Sequence, residues 1–280
     1  MPSQNPLVGY DASRGVATLT LDSPHNRNTL SFALIERLLE TIEAANADPA
    51  IRVIVLSHTG PVFCSGADLK ETAEAASSGR PPVNRLGEVL AAIWESPKPV
   101  LARLAGPARA GGLGLVAAAD IAVCGTDATF AFSEVRLGVI PAVISATVLP
   151  RLGSRVAAEL YLTGAVFDGA RAAEIGLVTA AVPAASLDET VDGFVSALIR
   201  GAPGALAGTK ELLHRREADT FREEVAALTK LSLRYFGSPE GIEGVLAYRQ
   251  KRDPSWIPGH SAERIDPNRP PGEAGGLSVR

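Results

Sequence analysis

Pro99 to Glu134 reads PVLARLAGPARAGGLGLVAAADIAVCGTDATFAFSE, and the order of elements inside it decides the fold. Val100 to Ala105 is a short apolar run ended by Gly106-Pro107, the pattern of a buried strand followed by a turn. Gly111-Gly112 opens a helix that Leu113 to Ala119 continues with small and apolar residues, able to pack on every side. After Asp120, Ile121 to Cys124 is a second apolar run. Strand, helix and strand with turn glycines point to an α/β fold built from successive crossover units.

The first turn of the central helix also has chemical value. Backbone N–H groups there lack intrahelical partners and the macrodipole adds partial positive charge. An anion, or an oxygen that becomes anionic during reaction, is stabilised there without a charged side chain. Glycines at 111 and 112 admit a close ligand and serve tight packing equally well. The spacing does not make this a nucleotide site. Gly106 and Gly111 are spaced like the outer glycines of a P-loop, but Gly112-Leu113 stands where that loop needs Lys and Ser/Thr. Gly112 to Ala117 matches G-x-G-x-x-A, yet the helix before Ile121 is too short for a dinucleotide fold and no acidic residue ends that strand.

Upstream, Val16 to Leu21 alternates like a strand, and Ser31 caps a helix through Ala47 with Leu34, Ile35, Leu38, Leu39 and Ile42 at helical spacing. Val53 to Ser57 reads as a strand, a polar stretch to Arg80 as a helix and mobile loop, and the next segment as a helix through Trp94. Downstream, helices are expected at 142–149, 154–163 and 169–175, with a short strand at 177–182. From there the chain reads as almost all helix, at 186–200, 203–214, 221–236 and 239–252. The expected organisation is a core over 1–185, a helical region over 186–252 and a Pro/Gly-rich tail over 253–280, extended or disordered unless a partner subunit orders it.

Composition narrows the function. A chain of 280 residues, 46% hydrophobic, can bury a substantial core. A net charge of −4 without basic clusters argues against nucleic acid and gives no reason to invoke a membrane surface. Two cysteines exclude a disulfide framework, and no apolar run approaches the roughly 20 residues of a membrane span. A cytoplasmic location is the default expectation. His25, His58, His214 and His260 show no ligand spacing, so no metal site is expected. Cys64 and Ser65 lack a G-x-S-x-G elbow and read as small residues shaping a turn.

A second glycine turn, Phe63-Cys64-Ser65-Gly66-Ala67-Asp68-Leu69-Lys70, follows the Val53 strand. With Ala67 at the start of a helix, its N–H is another free donor, and two such donors converging on one point make an oxyanion hole. Asp68 favours that helix start electrostatically.

These residues carry a resemblance. Phe63 to Glu71, Gly106 to Asp120, Ser133-Glu134-Val135-Arg136-Leu137-Gly138 with Ile140-Pro141, Leu162-Thr163-Gly164 and the Glu243 to Arg252 pattern are collinear with the enoyl-CoA hydratase/isomerase (crotonase) family. The resemblance covers roughly Val16 to Arg252. It implies a crotonase-like spiral of ββα units with a helical C-terminal trimerisation region, and a homotrimer or dimer of trimers. By the same resemblance, Ala67 and Gly111 polarise an acyl-CoA thioester carbonyl and Glu134 is the general acid/base. No cofactor is implied, coenzyme A arriving as part of the substrate. Arg27, Asn28, Leu30, Ser65, Asp68, Leu69 and Lys70 align with the coenzyme A site, as do Tyr248 and Lys251, the latter serving this site or a neighbouring subunit's.

The departure is Gly114, which stands where two-glutamate hydratases carry their other carboxylate. Gly112 to Val116 and Ser133 to Ser145 nevertheless look like bacterial methylglutaconyl-CoA-type hydratases. The implied activity is hydration of an α,β-unsaturated acyl-CoA with one glutamate. The alternatives are a Δ3,Δ2-enoyl-CoA isomerase and a non-catalytic acyl-CoA-binding protein. For an acidic acyl group, Arg109 beside the glycine turn is the candidate cation.

Overall fold

A computed structural model describes residues 7–71, 74, 85–214, 218–252 and 254. Most of the stretch expected as a mobile loop before Arg80, and all of the tail except residue 254, lie outside the described residues.

The crossover pattern expected around Gly111 organises a six-stranded sheet. Its order is β1 (Val8–Ser13), β2 (Val16–Leu21), β3 (Val53–His58), β4 (Val100–Leu104), β6 (Ile121–Gly125) and β9 (Ala180–Val182). β1 and β2 form an antiparallel hairpin, and every later pair is parallel. The hairpin turns at Arg14 (φ 51°) and Gly15 (φ 82°), the paired positive φ values that a two-residue primed turn needs. All six residues of β3 are buried, as expected for a parallel strand covered on both faces. Its side chains alternate between two cores: Ile54 and Leu56 join the main cluster, while Val53 and Val55 meet Leu187 and Val191 of a helix on the other face.

The helices are α1 (Phe32–Ala47), α2 (Leu86–Trp94), α3 (Gly111–Ala118), α4 (Ala142–Val148), α5 (Ser154–Thr163), α6 (Gly169–Glu174), α7 (Leu187–Ile199), α8 (Pro203–Leu213), α9 (Ala218–Phe236) and α10 (Pro239–Gln250). Ser31 caps α1, its Oγ accepting from the Leu34 N–H at 3.3 Å. Every residue of α3 is buried, so this helix is the hub that small side chains promised. α9 packs on α2 and α4, and α10 packs on the single-turn helix Glu134–Leu137.

A second sheet, β5 (Ala108–Arg109), β7 (Thr129–Ala131) and β8 (Phe167–Asp168), is absent from the sequence reading. Two- and three-residue strands are too short to show a period. This small sheet matters most for the site. β5 runs directly into α3 and pairs in parallel with β7, which leads into Glu134. Among the described residues no helix is long and apolar enough to cross a membrane.

Candidate active site

Four chain segments are stitched together by short main-chain pairings. Leu30 bridges Ala67, Cys64 bridges Ala108, and Ala108 pairs with Phe130. The Arg109 N–H donates to Cys64 O at 3.0 Å and the Ala110 N–H to Ala131 O at 3.2 Å. The consequence is that Ala67, Gly111 and Glu134, separated by 44 and 23 positions, belong to one small region.

Ala67 does not start a helix, contrary to the sequence expectation. The helical turn begins at Leu69, with the Asp68 carboxylate accepting from the Lys70 and Glu71 N–H groups at 2.9 and 3.2 Å. Ala67 is instead the bridged residue of a parallel pairing in which the Leu30 N–H donates to Gly66 O at 2.8 Å. In parallel pairing a partner bonds the residues on either side, so Ala67's own N–H points away from Leu30. It donates to no other group among the described residues.

The Gly111 N–H is also without an acceptor among the described residues. It follows Ala110, held at φ 48° and ψ −118°, a conformation that costs a non-glycine residue about 1–3 kcal/mol. Gly66 (φ 89°) faces this strained turn: a Cβ there would lie 3.1 Å from Arg109 O and 3.4 Å from Gly111 N. Two free amides thus sit on touching segments, which is the geometry of a paired donor site for a developing oxyanion.

Glu134 opens the 134–137 turn and is 8% exposed. Its Oε2 is buried with no hydrogen-bond partner among the described residues. Loss of hydration pushes its carboxyl up to about 7, where one group can both take and return a proton at neutral pH. At Gly114 a Cβ would meet Ile144 Cγ2 at 2.6 Å and Leu90 Cδ2 at 3.3 Å, so an apolar side chain fills the place of a second carboxylate.

A cleft opens beside Ala67, between Leu30, Phe32 and Asp68 on one wall and Thr229, Leu233 and Phe236 of α9 on the other. Glu134 lies outside its lining. Arg27 and Lys70 are exposed, and Leu69 is half-buried. The Arg27 carbonyl accepts from the Ser65 N–H at 3.1 Å, while Ser65 Oγ is buried without a partner among the described residues. Tyr248 is exposed on α10, and Lys251 is its left-handed cap at φ 53°.

Two expected ligand contacts are spent within the protein. The Asn28 side chain is fully buried: its Oδ1 accepts from the Ser23 N–H at 2.7 Å, and Nδ2 donates to Thr59 O and Val62 O at 3.1 and 2.8 Å. It pins the loop that carries Leu30. Arg109, the candidate cation for an acidic acyl group, is likewise bonded within the protein. Its guanidinium donates to Ala108 O, Thr129 O and Thr129 Oγ1, so the strand pairing has claimed it. His58 is a buried core residue whose Nε2 accepts from the Ala105 N–H at 3.0 Å while Nδ1 has no hydrogen-bond partner among the described residues, and burial pushes the Cys64 thiol up to about 12.

Tyr161 and Ser145 meet next to Phe132 in this region. Tyr161 lies on Phe132 with ring centroids 4.7 Å apart, and its hydroxyl is 3.4 Å from Ser145 Oγ on α4. In the sequence both look like ordinary helix residues.

Known proteins resemble this chain over most of its length. Residues 11–258 match the family model described as Enoyl-CoA hydratase/isomerase. The chain is similar to mouse mitochondrial enoyl-CoA hydratase domain-containing protein 3, 35% identical over 268 residues, covering 91% of this chain and 85% of that protein. It is also similar to human mitochondrial methylglutaconyl-CoA hydratase, 30% identical over 258 residues, covering 88% and 75%. A crystal structure of an enoyl-CoA hydratase from Mycobacterium avium is 44% identical, with TM-score 0.81, covering 91% of this chain and all of that one. The paired amides, the buried carboxylate and a match spanning most of the chain place this protein in the enoyl-CoA hydratase/isomerase family, with its crotonase-like fold.

Proposed function

We propose that this protein adds water to an α,β-unsaturated acyl-CoA thioester with a single carboxylate. The observation that supports the reading is Glu134: a buried carboxylate with an unpartnered oxygen, on the segment that follows β7, whose pairing partner β5 leads to the unused Gly111 amide. The thioester oxygen accepts from the Ala67 and Gly111 N–H groups. Glu134 takes one proton from water while the water oxygen bonds C3 and the C2=C3 electron pair moves toward the thioester carbonyl. Glu134 then returns that proton to C2, so the net change is addition of H and OH. Each oxyanion donor is worth about 10²–10³ in rate and the proton transfer about 10²–10⁴.

Coenzyme A enters by the cleft beside Ala67, with the exposed Arg27 and Lys70 as phosphate partners and Tyr248 and Lys251 contributed by α10 of this or a neighbouring subunit. The assembly is read as a trimer or dimer of trimers on the family likeness, and the cytoplasm is the default location on composition. The similarity to a methylglutaconyl-CoA hydratase makes a branched acidic enoyl group the first candidate substrate. Ile144 in the place of a second carboxylate favours one further reading, a Δ3,Δ2 isomerase, which needs only one proton carrier.

The test is turnover of crotonyl-CoA, 3-methylglutaconyl-CoA and a 3-enoyl-CoA by the wild type and by Glu134→Gln. Loss of at least about 10²-fold in the variant supports Glu134 chemistry, and the preferred substrate chooses between the two reactions. Thioester binding without turnover by the wild type overturns the enzymatic reading in favour of an acyl-CoA-binding protein.

A further inference from the structure

Gly87 is the second residue of α2 and has a helical backbone that any residue adopts, so this glycine answers to space and not to a turn. A Cβ there would lie 2.5 Å from Val225 Cγ1 and 3.4 Å from Thr229 Oγ1 on α9, and 3.8 Å from Val143 Cγ1 on α4. Val225 has no room to swing aside. It is β-branched, which leaves one favoured rotamer in a helix, and it is buried among Ala91, Trp94 and Ala146. Thr229 is tied to the same turn, its Oγ1 donating to Val225 O at 2.8 Å. At an ordinary carbon–carbon contact of about 3.5 Å, α9 would stand about 1 Å further from α2, so the missing side chain sets where α9 lies.

The place of α9 matters because Thr229 and Val143 both line the cleft beside Ala67, and Thr229, Ser232, Leu233 and Phe236 run along it as one helical stripe. Thr229 and Val143 lie within 3.8 Å of one point at Gly87, so they meet at the same end of the cleft. That end is closed, Val143 being 7% exposed. The other is open at Phe32, 39% exposed, whose N–H donates to Glu71 at 2.8 Å. Between them Leu30 flanks an oxyanion donor: a Cβ at Gly111 would lie 2.9 Å from Leu30 Cδ1. A thioester held at Ala67 and Gly111 keeps its large charged coenzyme half at the open end, since phosphates are costly to bury, and turns its acyl half to the closed end.

We propose that Gly87 limits the bulk of the acyl group that this site accepts. By letting α9 close on α2 it holds Thr229 near Val143, and the end they form seats a short acyl group and refuses a long one. Gly87 touches no substrate; it is a positioning residue that acts through Val225 and Thr229. The inference rests on the acyl-CoA reading of the site and not on which reaction follows.

The experiment is calorimetric titration of butyryl-CoA, octanoyl-CoA and free coenzyme A into the wild type, Gly87→Ala, the double variant Gly87→Ala/Val225→Ala, and Thr229→Leu. Gly87→Ala pushes α9 outward and should shift the ratio of the two thioester dissociation constants at least about tenfold in favour of octanoyl-CoA. Adding Val225→Ala removes the methyl groups that the new Cβ meets and should return the ratio to within about threefold of wild type. Thr229→Leu fills the closed end without that clash and should shift the ratio at least about threefold the other way. A Gly87→Ala ratio within about twofold of wild type overturns the proposal. So does a weakening common to both thioesters, the mark of a merely loosened α9, or a shift that Val225→Ala leaves in place. Should Gly87→Ala fail to fold, an unchanged ratio in Thr229→Leu overturns it alone. Free coenzyme A binding as tightly as both thioesters in every protein sinks the acyl seat and leaves the coenzyme site standing. Binding of none of the three ends the acyl-CoA reading and this proposal with it, whereas hydration is decided separately by Glu134→Gln.

Discussion

Asp120 and Glu134 are two largely buried carboxylates at opposite ends of the same segment, and they are treated in opposite ways. Asp120 Oδ2 is 2.7 Å from Lys210 Nζ and accepts from the Val100 N–H at 2.8 Å. Its Oδ1 is 3.4 Å from His214 Nε2 and, like Glu134 Oε2, accepts no hydrogen bond among the described residues, so the difference between the two lies in the Lys210 cation. Lys210 also donates to Ile93 O and Lys98 O at 3.0 and 3.2 Å, and His214 stacks on Trp94 at 4.0 Å. Glu134 meets no cation and leaves Oε2 bare among the described residues. A buried charge with partners fastens the C-terminal helices to the core; a buried carboxylate without them stores free energy that chemistry can use.

The largest way to break this contrast is to remove the bare carboxylate. Glu134→Gln should lose about 10²–10⁴ of hydration rate, measured as kcat/KM, and gain stability where the wild type must ionise a buried acid. The sign follows from a folded value near 7 against 4.5 unfolded. Between those values the folded protein holds a proton that the unfolded chain has released, so wild-type stability falls as pH rises. Glu134→Gln should therefore overtake the wild type by up to about 3 kcal/mol at pH 8 relative to pH 4, read from urea midpoints. A constant difference across that range removes the desolvation argument.

Next comes the paired site. Lys210→Met leaves Asp120 without its cation and should cost about 3–5 kcal/mol of stability, whereas the double variant with Asp120→Leu should recover much of it. Gly114→Glu has a smaller effect. It should not create a two-carboxylate hydratase, because Ile144 occupies the space; the expected result is no gain in turnover and a loss of about 1–3 kcal/mol from overpacking. The smallest concerns His214, whose ionisation burial shifts downward. Below the unfolded value of 6.5 the unfolded chain binds a proton that the folded one resists, so stability falls as pH drops through that range. His214→Phe, which keeps a ring on Trp94, should flatten the acid side of the stability profile.

Much of the fold was legible because its signals are local. Ser31 and the Leu34 to Ile42 spacing marked α1, and Ser154 to Thr163 was read to the residue. The first strand was missed, since Val8 to Ser13 has a buried residue only at its start and is otherwise mostly exposed. The small sheet was missed because its strands are two or three residues long. For the site, Gly111, Ala67 and Glu134 could be named in advance, but the reason Ala67 is free was misread, and Arg109 was taken for a ligand when Thr129 holds it.

The sequence by itself determined the succession of strands and helices, the glycine turns that expose backbone amides, and the lack of a carboxylate at position 114. These depend on side-chain periodicity and on which residues tolerate a turn, both properties of neighbouring positions. Only the tertiary structure decided that Ile144 closes Gly114 from thirty residues away, that Lys210 neutralises Asp120, and that Glu134 is left buried with an unpaired oxygen. The raised proton affinity of Glu134 comes from desolvation and from the absence of a partner, and those are set by what distant segments bring to the same place.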